Sequence, residues 1–301
     1  MTIVTDSHTS GGQEDDRLAE IQSCFADVDG IRTHYLAAGE GRPLVLLHGG
    51  AWGECARTAW MPVIGVLAVR HRVIAPDWLG FGETDKIVDF ADRAGRMLAH
   101  LAALLRRLGI GSADMIGLSM GGAHLLRDQA GDRPRLDVKR MVLVSAGGPP
   151  VSGGARQALA DFDGTMESMR AQVRLAFADP AWAADDEFVR ARHAEATRPG
   201  AYAAFASLFL PVPLAARPAP EPAGDDAAPE DPVPYSRITV PTLVTAGAAD
   251  RLKPPGYAGR VAAAIPDARL AVFDGCGHCP QLEAAGPWNA AVLGFLAEEE
   301  P

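Results

Sequence analysis

Cysteine is scarce in this chain, aromatic residues are few and positive charge is outnumbered. Four cysteines (Cys24, Cys55, Cys276 and Cys279) among 301 residues do not make the bridge framework of a small secreted scaffold. They suit a chain with reduced thiols in the cytoplasm. The 38 acidic residues against 28 basic ones leave a formal charge of −10, with no basic cluster to offset it. Such a chain has no general attraction for nucleic acid or for an anionic membrane. No apolar run nears the roughly 20 residues needed to span a bilayer. Residues 1–16 are polar and acidic, without the basic and apolar regions of a secretory signal. Cys276-Gly277-His278-Cys279 has the outward look of a redox or zinc motif. A structural zinc site needs four ligands, however, and no second Cys/His pair stands at a suitable spacing. No metal and no cofactor are expected.

What is present, 48% hydrophobic and 22% charged residues, is enough to bury a sizeable core. Asp29-Gly30 between two β-prone runs predicts a hairpin. Residues 43–47 form a continuous apolar run ending in His48-Gly49-Gly50, the mark of a strand buried on both faces. Further strands are expected over 72–77, 113–117, 140–145, 242–246 and 269–273. Helices are expected after 72–77, after Ser119 and between the last two strands: Ala94, Met97, Leu98, Leu101, Leu105 and Leu108 recur at helical spacing up to Gly109, and 282–298 supplies a closing helix. Strand–helix alternation of this kind predicts an α/β core, a doubly wound and mostly parallel sheet covered on both faces. The core is expected over 21–146 and 236–301, after a flexible tail at 1–20. Residues 147–235 break the rhythm: they read as an inserted helical cap, with helices over 157–177 and 185–196. The insertion ends in a Pro- and acid-rich linker at 217–232 that has nothing to bury.

Gly117-Leu118-Ser119-Met120-Gly121 lies directly after one expected strand and before a helix. A sharp turn there lifts the serine hydroxyl out of the sheet, and the helix start aims N–H groups at any oxyanion beside it. A serine needs a base to become a nucleophile, and the base needs an orienting acid. His278 follows the last strand, and Asp250 ends the strand before it; Asp77 and Asp274 are alternative acids at strand ends. Asp77 better suits an anchor for the Gly80-Phe81-Gly82 turn. The chain order Ser119, Asp250, His278 is the order this elbow requires. The backbone N–H groups of Gly50 and Met120 are the expected oxyanion donors.

These pieces together resemble the serine-dependent α/β-hydrolases over residues 24–298. Haloalkane dehalogenases and epoxide hydrolases share several of them but carry Asp at the elbow. Within the superfamily the chain is similar to the meta-cleavage-product hydrolases, which cut a C–C bond in vinylogous diketone acids. Ser119-Met120-Gly121-Gly122 and Cys276-Gly277-His278 match them. The resemblance implies that Arg192, in Phe188-Val189-Arg190-Ala191-Arg192, binds the substrate carboxylate; a solvated helix-face charge is the alternative. It further implies substrate contacts at Gly49, Leu118 and Cys279. Two of these depart from the family pattern, which has Asn before the nucleophile and Trp after the histidine. An ester or lactone is therefore an alternative substrate. A ligand-binding relative without turnover, and a lyase or acyltransferase on the same scaffold, also stay open. The expected partner is a small molecule, and the family's habit of dimerising leaves a homodimer open.

Overall fold

The computed structural model describes residues 20–151, 153–210, 231 and 233–298. A hairpin opens it. Asp29 and Gly30 have φ of 54° and 80°, the left-handed pair that a two-residue turn between twisted strands requires. The turn joins β1 (Gln22–Val28) to β2 (Ile31–Ala38), paired from Gln22↔Ala37 to Val28↔Ile31. Then follow β3 (Arg42–Leu47), β4 (His71–Pro76), β5 (Ala113–Leu118), β6 (Val138–Val144), β7 (Thr242–Gly247) and β8 (Ala268–Phe273). The eight strands form one sheet in the order β1-β2-β4-β3-β5-β6-β7-β8. β2 runs antiparallel to both neighbours, and every pairing from β4 to β8 is parallel.

The central strands are buried along almost their whole length, which is why they are written in unbroken apolar runs. At the edge, β8 alternates and leaves Leu270 and Val272 exposed. Around the sheet pack α1 (Ala56–Leu67), α2 (Arg93–Arg107) and α3 (Met120–Gln129). Between β6 and β7 lie five α-helices, a 3-10 turn (Tyr235–Arg237) and no strand among the described residues: α4 (Gly153–Ala160), α5 (Met166–Ala176), α6 (Ala181–Ala184), α7 (Asp186–Ala196) and α8 (Ala201–Ala206). The core then closes with α9 (Tyr257–Ala264), α10 (Pro280–Glu283) and α11 (Ala285–Leu296).

Three elements differ from the sequence reading. The helix expected over 157–177 is two helices. Gly164 takes φ of 87° between them, and Thr165 then caps α5 by accepting from the Ser168 N–H. The closing helix is likewise broken at Ala284. Helix α1 was not anticipated, because Pro62 inside it masks an otherwise regular apolar face of Trp60, Val63, Ile64 and Leu67. The tail at 1–20, except Glu20, and the linker at 217–232, except Asp231, lie outside the described residues. No described helix is long and apolar enough to cross a membrane.

Candidate active site

The parallel strands all deliver their C-terminal ends to one edge of the sheet, where the chemistry-bearing residues collect. Ser119 follows β5 directly, with φ 48° and ψ −108°, a strained backbone for a residue with a Cβ. Its N–H donates to the Val144 carbonyl at 2.8 Å, and its carbonyl accepts from Ala123, so strand and helix hold the turn from both sides. The flanking glycines are demanded by close approach. A Cβ on Gly117 would lie 2.5 Å from the Gly122 nitrogen, and one on Gly121 would lie 2.4 Å from the Leu47 oxygen.

Gly50 stands against the start of α3: a Cβ there would be 2.7 Å from Met120 Sδ. Neither the Gly50 nor the Met120 N–H has an acceptor among the described residues. The loop is held by His48, fully buried. Its Nδ1–H donates to the Gly49 carbonyl at 2.7 Å, while Nε2 accepts the Trp78 N–H at 3.1 Å. Burial holds this imidazole below its ordinary pKa, which suits a neutral structural role.

Asp250 and His278 meet at the far side. The His278 Nδ1–H donates to Asp250 Oδ2 at 2.8 Å, and Asp250 Oδ1 accepts the Leu252 N–H at 2.8 Å. Burial would raise the Asp250 pKa, but the imidazole, the Leu252 N–H and Lys253 outweigh it and hold the carboxyl below its ordinary value. A carboxylate on Nδ1 leaves Nε2 as the free acceptor, the tautomer of a general base. Ser119 Oγ itself makes no hydrogen bond to the imidazole among the described residues. Such contacts are often loose before substrate arrives.

The loop carrying His278 is set by main chain. A Cβ on Gly247 would fall 2.0 Å from the Gly277 oxygen, and the His278 N–H donates to the Ala176 carbonyl at 2.7 Å. Glu283, which the sequence reading did not single out, accepts the Gly277 N–H on one oxygen and the Ala178 and Asp179 N–H groups on the other. It ties the histidine loop to the chain between α5 and α6. The signal was available only as an acidic residue five positions after a histidine.

Arg192 is buried at 3% exposure rather than solvated on a helix face. One nitrogen donates to the Trp52 carbonyl at 3.1 Å, and Nε has no partner among the described residues. Gly49 lies under the side chain of buried Glu54, whose Oε2 would be 2.8 Å from a Cβ there. Glu54 is a second residue the sequence reading passed over. Leu118 is fully buried in the hydrophobic core, and Cys279 is buried in the same extended core. Burial, with Glu54 nearby, pushes the Cys279 thiol well above its ordinary pKa. Cys276 is also a free, buried thiol. Asp77 is a structural hub: its carboxylate accepts from the Ala56 and Glu83 N–H groups and from His34 Nδ1. Asp274 gives only its carbonyl, to the Cys276 thiol, among the described contacts.

Comparison with known proteins agrees with this architecture. The profile of the alpha/beta hydrolase family matches residues 44–291. The chain is 32% identical over 273 residues to the 2-hydroxymuconate semialdehyde hydrolase of Pseudomonas sp. (strain CF600), covering 90% of this chain and 92% of that one. It is 33% identical to the 2-hydroxy-6-oxo-2,4-heptadienoate hydrolase of Pseudomonas putida (strain F1), covering 90% and 95%. A crystal structure of a meta-cleavage product hydrolase superposes with a TM-score of 0.77 at 28% identity, over 92% of this chain and 98% of the other. The enol-lactonase from Burkholderia xenovorans LB400, at 23% identity and a TM-score of 0.70, shares the fold. With the serine at its strained elbow and the Asp–His pair at the same sheet edge, the chain belongs to the alpha/beta hydrolase family, among relatives that are meta-cleavage-product hydrolases.

Proposed function

We propose that the protein hydrolyses a C–C bond in a vinylogous diketone acid, with Ser119, Asp250 and His278 as its triad. The observation that carries this reading is the Asp250–His278 hydrogen bond at the same sheet edge as the strained Ser119 turn, in a chain whose relatives perform that hydrolysis. His278 Nε2 takes the Ser119 proton as Oγ adds to the carbonyl carbon, and the oxyanion is met by the Gly50 and Met120 N–H groups. Asp250 holds the imidazole in its productive tautomer and stabilises the imidazolium. The dienol first takes a proton on carbon, so that collapse of the tetrahedral adduct breaks the C–C bond onto a dienolate. His278 returns the proton, and water then frees the acid from Ser119. Arg192, buried with an unpaired Nε–H, is the donor for the substrate carboxylate. The helices α4–α8 act as a cap over residues 21–146 and 236–301, excluding water from the acyl-enzyme.

An ester or lactone is the second reading. It is favoured by Leu118 and Cys279, both apolar and buried where the relatives' pattern has Asn and Trp. The test is turnover by wild type, Ser119→Ala and Arg192→Leu on a ring-cleavage dienol acid and on a neutral 4-nitrophenyl ester. C–C hydrolysis predicts fast dienol loss, its disappearance in Ser119→Ala, and a KM raised by about tenfold or more in Arg192→Leu for the acid alone. Retained turnover in Ser119→Ala would sink the triad. Fast ester hydrolysis beside an untouched dienol moves the assignment to an esterase. A ligand that raises the melting temperature without being consumed would indicate a binding protein.

A further inference from the structure

Helix α3 carries a second polar feature one turn beyond the elbow. Met120 and His124 stand four residues apart, on one face of the helix, and both line a cavity of about 380 Å³. Its other walls are the loop containing Phe90, Met97 of α2 and Leu208 after α8. Arg192 is not among the lining residues.

His124 is 5% exposed, its ring edge-on to Trp78 at 5.3 Å. Neither ring nitrogen has a hydrogen-bond partner among the described residues. Burial, aided by the nearby guanidinium groups of Arg127 and Arg93, pushes this imidazole down to about 3. It is therefore neutral at any working pH, with one N–H to give and one lone pair to receive. Of the charged groups on the same walls, Arg93 donates to Ser207 Oγ and the Ala204 carbonyl, Asp89 accepts from the Ala91 and Asp92 N–H groups, Asp92 accepts the Gly95 N–H, and Arg127 is exposed. A buried imidazole with both nitrogens unspent, on a cavity it shares with Phe90, Met97, Met120 and Leu208, is complementary to a hydroxyl on an apolar group, since a hydroxyl also gives one hydrogen bond and receives one.

We infer that this cavity is a subsite for the acyl end of the substrate, and that His124 selects there for an apolar ring or chain bearing a hydroxyl group. The inference rests on the serine-hydrolase reading for its placement: if Arg192 holds the carboxylate of the leaving fragment, the cavity beside Met120 is left for the opposite end. A charged group gains little from a neutral imidazole, and a plain hydrocarbon leaves both nitrogens unpaired.

The test has two arms. Phenol, with toluene for comparison, is titrated into wild-type and Ser119→Ala protein carrying 15N-labelled histidine. Phenol is expected to move the ring-nitrogen resonances that disappear in His124→Leu, in both proteins alike, while toluene leaves them in place. In the second arm, kcat/KM for 4-nitrophenyl 4-hydroxyphenylacetate is divided by that for 4-nitrophenyl phenylacetate. The ratio is expected to fall about tenfold in His124→Leu, the worth of one hydrogen bond, and to recover in His124→Gln, which keeps a donor and an acceptor. Resonances indifferent to phenol, or a ratio unchanged in His124→Leu, overturn the subsite. Absence of any ester or dienol turnover alongside an intact phenol response would instead overturn the serine-hydrolase reading.

Discussion

Asp250 shows how a single carboxylate sets the chemistry of its neighbour. It accepts from His278 Nδ1 with one oxygen and from the Leu252 N–H with the other, and its pKa is held low despite burial. The imidazole is thereby confined to the tautomer with Nε2 free. In Asp250→Asn the amide offers a donor as well as an acceptor, and the imidazole is no longer held in that tautomer. We expect kcat to fall by about 10³–10⁴-fold on any substrate the wild type turns over, with the far-ultraviolet circular dichroism unchanged. A loss below tenfold would show that Asp250 does not orient the base. Gly247 sits beneath the same pair, and a Cβ there would collide with the Gly277 carbonyl. The spacing between acid and base thus depends on a residue with no side chain.

At the scale of elements, Asp77 joins parts of the chain that are far apart in sequence. Its buried carboxylate accepts from the N-terminus of α1 at Ala56, from Glu83 in the following loop and from His34 on β2. Burial opposes its ionisation, but the His34 hydrogen bond and the Glu83 N–H prevail, and its pKa lies below the ordinary value. Because the folded carboxyl releases its proton more readily than the unfolded one, the stabilisation is complete above the unfolded pKa. It is lost as pH falls through the lower folded value. Asp77→Asn should therefore cost about 1–3 kcal/mol near neutral pH. It should also flatten the decline of the urea midpoint below about pH 4. An equally steep acid decline in the variant would place the responsible carboxyl elsewhere. Helix α1, which Asp77 caps from a distance, was hidden in the sequence by Pro62. The hairpin at Asp29-Gly30 was legible because two adjacent residues specify it.

For the whole molecule, the question is how the helices between β6 and β7 are seated on the core. Trp52, 2% exposed in the loop after β3, packs its ring against Phe162, Tyr202 and Phe205, with centroids 4.6, 5.0 and 4.4 Å away. Its Nε1–H donates to the Leu159 carbonyl, and its own carbonyl receives Arg192. Arg93 donates to the Ala204 carbonyl from the other side. Trp52→Ala should cost about 3–5 kcal/mol. Faster amide exchange is expected in Met166–Ala176 and Ala201–Ala206, while the central strands keep their protection. Uniformly faster exchange across the sheet would mean that the insertion is not a separable unit.

The α/β alternation, the elbow at Ser119, and the placing of Asp250 and His278 after successive strands could be read from sequence alone. Each is local: a run of apolar residues sets a buried strand, and glycine appears where backbones approach too closely for a Cβ. The surroundings of single charged or polar residues were decided only by tertiary structure. Arg192 was as consistent with a solvated helix face as with the buried, partly unpaired guanidinium that the fold makes of it. Glu283 binds main chain 104 and 105 residues away, Glu54 lies over Gly49, and His124 faces its cavity because α2 and the chain after α8 close around it. Burial and hydrogen-bond partners are properties of surfaces brought together by folding, and no periodicity along the chain encodes which surface a given side chain will meet.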